Sequence, residues 1–141
     1  LIEEFVFPGG FAQWYRRYKP ERAASVTTRF LLIINAVLVI LALVPPALGH
    51  TPRGYAFWSV VVAIGMANAF FHIWAMVRTD EYSPGVITGI IVYIPLFVLG
   101  VWALRDYGRL AMGTIIEAVV IGIAFHIWSD WNHRRRAANM V

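Results

Sequence analysis

The stretch LLIINAVLVILALV at residues 31–44 decides the fold, because a single polar residue, Asn35, interrupts it. A helix of a soluble bundle would carry a polar outer face, and this stretch has none. The apolar run continues from Phe30 to Leu48, which is 19 residues. At ~1.5 Å per residue this is about the length that a ~30 Å hydrocarbon core requires. The stretch therefore predicts a transmembrane helix.

Three further runs have the same character, at 55–77, 86–104 and 110–128. The composition agrees, with 60% hydrophobic residues, 14% charged residues and a mean hydropathy of +0.65. Apolar runs of this length indicate helices, which satisfy their backbone hydrogen bonds internally in lipid. The connections between the runs are too short to hold a second domain. We predict an all-α, polytopic transmembrane helical bundle that forms one domain over residues 1–141, with four complete spans.

The beginning of the chain predicts one more helix. The sequence opens at Leu1 and reads LIEEFV before Pro8, Gly9 and Gly10. Proline and glycine stop a helix, so residues 1–6 are expected to be the end of a fifth helix that begins upstream.

The basic residues predict the orientation. Nine flank the same ends of the spans, namely Arg16, Arg17, Lys19, Arg22, Arg29, Arg78, Arg134, Arg135 and Arg136, and three flank the other ends, namely Arg53, Arg105 and Arg109. By the positive-inside rule, the C-terminus is cytoplasmic and the protein lies in the cytoplasmic (inner) membrane. Topology thus explains the net charge of +4 without nucleic-acid binding. Membrane lipids are the expected partners, with the basic cluster 134–136 beside anionic lipid.

Polar side chains within the spans are the candidate site, because such groups are costly in lipid and are functional by default. They are Asn35, Asn68, His72, Glu117 and His126. Most of them fall in the predicted cytoplasmic half, together with Asp130 and His133 one and two turns beyond His126. Asn68 and His72 share a helix face, so the amide is expected to orient the imidazole. Glu117 lies on roughly the opposite face from His126 and is expected to serve a different contact.

Three segments resemble the HXXEE family of small bacterial integral membrane proteins: LIEEFVFP at 1–8, NAFFH at 68–72 and EYSPGVITGIIVYIP at 81–95. The name-giving histidine would directly precede Leu1. The resemblance implies that Glu3 and Glu4 are the two glutamates of the family motif. It likewise matches Asn68 and His72 to an Asn-Ala-x-x-His element, and Arg78, Pro84 and Gly85 to an Arg and Pro-Gly element. The family has no established activity, so the resemblance indicates a site without naming a reaction.

Carboxylates and imidazoles from several helices resemble a metal site for zinc, iron or manganese. The predicted ligands are Glu3, Glu4, His72 and His126, of which Glu3, Glu4 and His72 are also the predicted catalytic residues. Asn68, Arg78, Glu117 and Asp130 are predicted to support the site, with Arg78 balancing a carboxylate or a lipid phosphate. A metal here would activate water or oxygen beside a lipid-accessible cavity, and the expected substrate is a lipid or isoprenoid.

Two other functions fit the same residues. A desolvated glutamate and a histidine could shuttle protons in an isomerase or cyclase that needs no cofactor. Alternatively, the protein is an accessory subunit of a larger membrane complex or a homo-oligomer, in which His72 or His126 binds a haem or chlorophyll-type pigment. A pigment would leave the two adjacent glutamates unexplained, whereas metal or proton chemistry would use them.

Overall fold

A computed structural model describes Glu3 and residues 10–139 of the chain. The order of elements is α1 (Gly10–Tyr18), a 3-10 helix (Pro20–Ser25), α2 (Thr28–Leu48), α3 (Pro52–Thr79), α4 (Val86–Asp106) and α5 (Met112–Ala138). The described residues contain no strand, and α2 to α5 are each long and apolar enough to cross a membrane. The predicted all-α transmembrane bundle with four spans is therefore confirmed. The helix predicted at 1–6 lies outside the described residues, apart from Glu3.

Polar caps set the ends of the first two spans. The Thr27 hydroxyl accepts a hydrogen bond from the Phe30 amide at 3.1 Å, and the Thr51 hydroxyl accepts one from the Gly54 amide at 3.0 Å. Such caps satisfy amides that a helix start leaves without partners. Because the capping threonines precede the apolar runs, α2 and α3 begin two or three residues earlier than hydropathy predicts.

The last helix differs most from its prediction. The apolar run ends at Trp128, whereas α5 continues to Ala138. Its polar extension packs against the segment formed by α1 and the 3-10 helix, which we call the N-terminal arm (residues 10–25). Residues 129–138 are helical although they lie beyond the apolar run, and Asp130 and His133 among them contact the arm.

Helix α4 contains a π-helical segment at Gly89–Tyr93. Here α4 lies directly against α3, since a Cβ added to Gly89 would come within 2.7 Å of the Ala69 side chain. Single π turns inside α-helices are frequent at functional sites. This one contacts α3 at Ala69, one turn before His72.

Helix α3 is the centre of the bundle and packs against α2, α4 and α5. One buried cluster joins α3 to α4 and α5 through Val62, Ala63, Phe97, Val101, Leu110 and Ala118. A second joins the N-terminal arm to α2 and α3 through Trp14, Tyr15, Val26, Leu31 and Ala75. Small residues bring α5 close to α3, because a Cβ on Gly122 would lie 2.9 Å from the Ala63 backbone. The outward faces carry exposed apolar side chains such as Leu43, Ile91 and Ile127, as expected for surfaces in lipid.

Candidate functional site

Among the polar side chains of α3 that hydrogen-bond to a residue outside the helix, His72 is the most buried. It is 2% exposed, and its Nδ1 lies 2.9 Å from the hydroxyl of Ser83, which is fully buried. Ser83 belongs to the loop between α3 and α4, which we call the 80–85 loop. The bond fixes the orientation of the ring, because a buried imidazole held at one nitrogen cannot rotate freely.

Gly85 closes the loop over the other side of the His72 ring. A Cβ added to Gly85 would lie 2.9 Å from both Cε1 and Nε2 of His72, closer than real side chains approach. Gly85 also has a φ of +115°, which side-chain-bearing residues rarely adopt. Both observations show why glycine stands at this position.

Aromatic rings shield the remaining faces of His72. The ring centroids of Phe71, Phe11 and Trp14 lie 5.3, 5.6 and 6.0 Å from that of His72. Phe11 and Trp14 come from α1, so the N-terminal arm covers the end of α3. The imidazole is therefore enclosed by apolar surface.

Glu3 is bound at the start of α4. Its carboxylate accepts hydrogen bonds from the Thr88 amide at 2.7 Å and the Ile87 amide at 3.3 Å, and also from the hydroxyls of Tyr82 and Thr88. Free amides at a helix N-terminus favour a negative charge. Burial acts to raise the pKa of Glu3, but the hydrogen bonds from Thr88 and Tyr82 outweigh it and lower the pKa from 4.5 to about 2. Glu3 is thus held as a carboxylate.

Two of the predicted ligands, Glu3 and His126, lie within electrostatic range of a third, His72. The Phe71 ring contacts both imidazoles, with centroid distances of 5.3 Å to His72 and 6.3 Å to His126, and it stacks on His126. The Nε2 atom of His126 is buried and has no hydrogen-bond partner within the described part of the chain. Glu4, the fourth predicted ligand, lies outside the described residues.

The arrangement of possible metal ligands can be stated for Glu3 and residues 10–139. Among them, no group of three or more His, Asp or Glu side chains lies close enough together to hold a metal ion. Each oxygen of Glu3 already accepts two hydrogen bonds from its own chain. In this arrangement the Glu3 carboxylate is held at the start of α4 by hydrogen-bond donors of the chain itself.

Among the described residues, no hydrogen bond joins a predicted supporting residue to His72 or Glu3. The hydroxyl of Ser83, and not the Asn68 amide, orients His72, because the imidazole turns towards the 80–85 loop. Glu117 lies exposed on α5 and does not join the site. Arg78 is also exposed, and its guanidinium lies 5.9 Å from the Trp74 ring. Asn35, a candidate from the apolar runs, donates a hydrogen bond to the Leu31 carbonyl of its own helix at 2.9 Å.

Asp130 belongs to a separate cluster between α5 and the N-terminal arm. Its carboxylate pairs with Lys19 at 2.9 Å, with Arg134 at 3.0 Å and with Arg22. One turn further, the Nδ1 atom of His133 lies 2.8 Å from the Ser25 hydroxyl. His133 is buried. These contacts hold the arm on α5.

Sequence reasoning missed Ser83, Tyr82 and Thr88 as members of the site. All three lie within EYSPGVIT at 81–88, where polar residues surround a Pro-Gly pair. The Pro-Gly pair predicts a turn followed by a helix, and the first amides of a helix have no hydrogen-bond partner within it. Free amides at this position could have indicated that an acceptor such as Glu3 binds there.

A half-open cavity of about 420 Å³ lies at the other end of α3, between Pro45 and Trp58. Two polar side chains line it, the exposed His50 and the half-buried Tyr55. The Nδ1 atom of His50 lies 3.4 Å from the Tyr55 hydroxyl. Buried polar groups converge around His72 and not around this cavity. We therefore place the candidate site at His72.

Comparison with known families shows which family the chain belongs to. The family described as "Protein of unknown function with HXXEE motif" matches residues 1–103, which is most of the chain. The chain belongs to the HXXEE family. The match includes Glu3, His72 and Ser83, whereas the α5 residues His126 and Asp130 lie beyond it. No curated protein and no solved structure matches this HXXEE-family chain.

Proposed function

We propose that this HXXEE-family protein is a membrane enzyme that acts on a lipid or isoprenoid by proton transfer, with His72 as the acid/base group. The observation that carries the proposal is the buried imidazole of His72, held through Nδ1 by Ser83 and enclosed by three aromatic rings. An imidazole can both accept and donate a proton, and a fixed ring presents its second nitrogen in a defined direction.

Glu3 supports this chemistry electrostatically. Its carboxylate interacts with His72 and stays ionised because four hydrogen bonds stabilise the charge. When His72 accepts a proton, the nearby negative charge stabilises the imidazolium that forms. Glu3 is a positioning residue in this scheme, and the proton moves at His72.

The surface of α3 supports the substrate class. Phe70 and Trp74, two residues to either side of His72, are 55% and 59% exposed. They lie on the face of α3 opposite His72, and that face is turned to lipid in a membrane-spanning helix. A substrate dissolved in the bilayer is therefore available beside α3, and it reaches the imidazole when the cover formed by Gly85 and α1 opens.

Metal-dependent chemistry is the second candidate. The observation that favours it is the buried Nε2 atom of His126, which has no hydrogen-bond partner among the described residues. The His126 ring also lies within electrostatic range of His72. His72, His126 and Glu4 would be the ligands of a zinc, iron or manganese ion, and the metal would supply Lewis-acid activation of water or oxygen. Elemental analysis of the purified protein and of His126→Ala tests this candidate. A stoichiometric metal that His126→Ala loses supports it, and equal metal content in both proteins contradicts it.

The proton-transfer proposal is tested by lipid mass spectrometry. Membrane extracts from cells that express the wild type, His72→Gln or His50→Gln are compared, with His50 as an exposed histidine remote from the site. We expect a lipid or isoprenoid product that depends on the wild type, persists in His50→Gln and disappears in His72→Gln. Size-exclusion chromatography and circular dichroism check that His72→Gln is folded. If it is not folded, Ser83→Ala takes its place. An identical lipid profile in all folded variants would contradict the proposal and leave the role of an accessory subunit.

A further inference from the structure

Two tryptophan–arginine pairs lie on the outer surface of the bundle. On α3 the Arg78 guanidinium lies 5.9 Å from the Trp74 ring centroid, and on α5 the Arg135 guanidinium lies 4.5 Å from the Trp131 ring centroid. In both pairs the arginine follows the tryptophan by four residues, so it lies one helical turn further from the membrane centre. Trp74 is 59% exposed and Trp131 is 49% exposed.

Both pairs are on the same side of the membrane. Helix α4 returns the chain between α3 and α5, so α3 and α5 end on the same side. Two ion pairs confirm that the neighbouring segments meet there. Arg17 of the N-terminal arm contacts Glu81 just after α3 at 3.4 Å, and Lys19 of the arm contacts Asp130 of α5 at 2.9 Å. The positive-inside rule predicts that this side is cytoplasmic.

Within the described residues, Arg78 and Arg135 lack the carboxylate partner that four nearby basic residues have. Lys19, Arg22 and Arg134 are paired with Asp130, and Arg17 is paired with Glu81. Within residues 10–139 and Glu3, no carboxylate lies within ion-pairing distance of Arg78 or Arg135. Each of these two guanidinium groups rests on an indole ring, which limits its motion and leaves its N–H donors free for an anion.

We propose that the two pairs are binding sites for anionic phospholipids, one at the end of α3 and one at the end of α5. Each tryptophan lies at the level of the lipid carbonyl groups, where amphipathic rings are favoured, and each arginine reaches outward to the phosphate. An anionic headgroup is attracted by the surrounding basic residues, whereas a zwitterionic headgroup gains much less. These sites are independent of the proposed function at His72.

Native mass spectrometry of the detergent-solubilised protein tests the proposal. Phosphatidylglycerol or phosphatidylcholine is titrated into the wild type, Arg78→Gln, Arg135→Gln and the double variant. Two controls remove the same charge elsewhere: Arg134→Gln from an arginine already paired with Asp130, and Arg105→Gln from the exposed far end of α4.

We expect the wild type to retain two phosphatidylglycerol molecules in preference to phosphatidylcholine. Each single variant should lose one of them, with affinity at that site falling about fivefold, and the double variant should lose both. Unchanged retention in the double variant, or an equal loss in Arg105→Gln, would overturn the proposal. Displacement of the lipid by millimolar inorganic phosphate would also overturn it, because the sites would then recognise a free anion.

Discussion

The Nδ1 atom of His72 and the Oγ atom of Ser83 lie 2.9 Å apart in a fully buried contact. The contact joins the last turns of α3 to the loop that begins α4, across eleven residues of sequence. Because Gly85 and Glu3 meet the same loop, the bond also determines where the beginning of the chain can attach. Orientation of the imidazole and closure of the loop therefore depend on the same hydroxyl.

Replacing Ser83 with alanine should destabilise the bundle and reduce the proposed activity. The variant leaves a buried imidazole nitrogen without its partner, and hydrogen bonds between transmembrane segments contribute about 0.6–2 kcal/mol. Thermal unfolding in detergent measures the loss of stability. Ser59→Ala is the matched control, because the buried Ser59 hydroxyl bonds only to the Ala56 carbonyl of its own helix. An equal effect of the two substitutions would show that the bond between His72 and Ser83 has no special role.

The four spans could be predicted from sequence because lipid imposes one strong rule. A run such as LLIINAVLVILALV must be helical and must cross the bilayer, whatever its neighbours are. That His72 and His126 lie at the same end of neighbouring helices could be predicted from their positions in the apolar runs. Depth along a span can be counted from residue numbers, and this made part of the site predictable.

The partners of these residues could not be predicted in the same way. Ser83 replaces Asn68 beside His72 because the loop folds back over the helix end, and helical periodicity says nothing about such a fold. The contact between Lys19 and Asp130 spans 111 residues and lies on the part of α5 beyond the apolar run. Such long-range contacts depend on how the elements pack, which hydropathy does not encode.

Gly85→Ala should disrupt the site through His72. The new Cβ would lie 2.9 Å from the ring, and the positive φ adds strain of about 1–3 kcal/mol. Gly108→Ala is a close control, because Gly108 also has a positive φ, of +64°, but no atom lies within 4 Å of its added Cβ. We expect Gly85→Ala to lower the melting temperature clearly more than Gly108→Ala does. Equal shifts would mean that the ring moves aside without loss.

Glu3→Gln should weaken the attachment of the beginning of the chain to α4. The amide keeps the size of the side chain but loses the charge that accepts bonds from two amides and two hydroxyls. Hydrogen exchange at the amides of Ile87 and Thr88 should become faster than in the wild type. Glu81→Gln, which removes an exposed carboxylate from the same loop, should leave these two rates unchanged. Unchanged exchange in Glu3→Gln would contradict the anchoring role.

The contact between Glu3 and Tyr82 should make this stabilisation dependent on pH at both ends of the range. The pKa of Glu3 is lowered to about 2, so its contribution is complete above its ordinary value of 4.5 and is lost as the pH falls towards 2. Burial and then the hydrogen bond with Glu3 raise the pKa of Tyr82 from 10.0 to about 12, so its contribution is lost as the pH rises through that interval. The melting temperature of the wild type should exceed that of Glu3→Gln between about pH 4.5 and 10, and the difference should shrink outside this window. A difference that does not vary with pH would contradict the assignment of charge to Glu3.

Asp130→Asn should release the N-terminal arm from α5. The carboxylate pairs with Lys19, Arg22 and Arg134, and the Lys19 and Arg22 side chains are largely buried, at 20% and 9% exposed. Removing the anion leaves Lys19 without its carboxylate partner and Arg22 with only the exposed Glu21, and hydrogen bonds to charged groups contribute about 1.5–3 kcal/mol. Limited trypsin digestion should cut within residues 16–22 earlier than in the wild type. Glu21→Gln is the control, because Glu21 also pairs with Arg22 but is 62% exposed, and it should leave the digestion rate nearly unchanged. Since Phe11 and Trp14 of the arm cover His72, release of the arm should also expose the imidazole to water and lower the proposed activity. An arm that stays protected in Asp130→Asn would show that the aromatic contacts alone hold it in place.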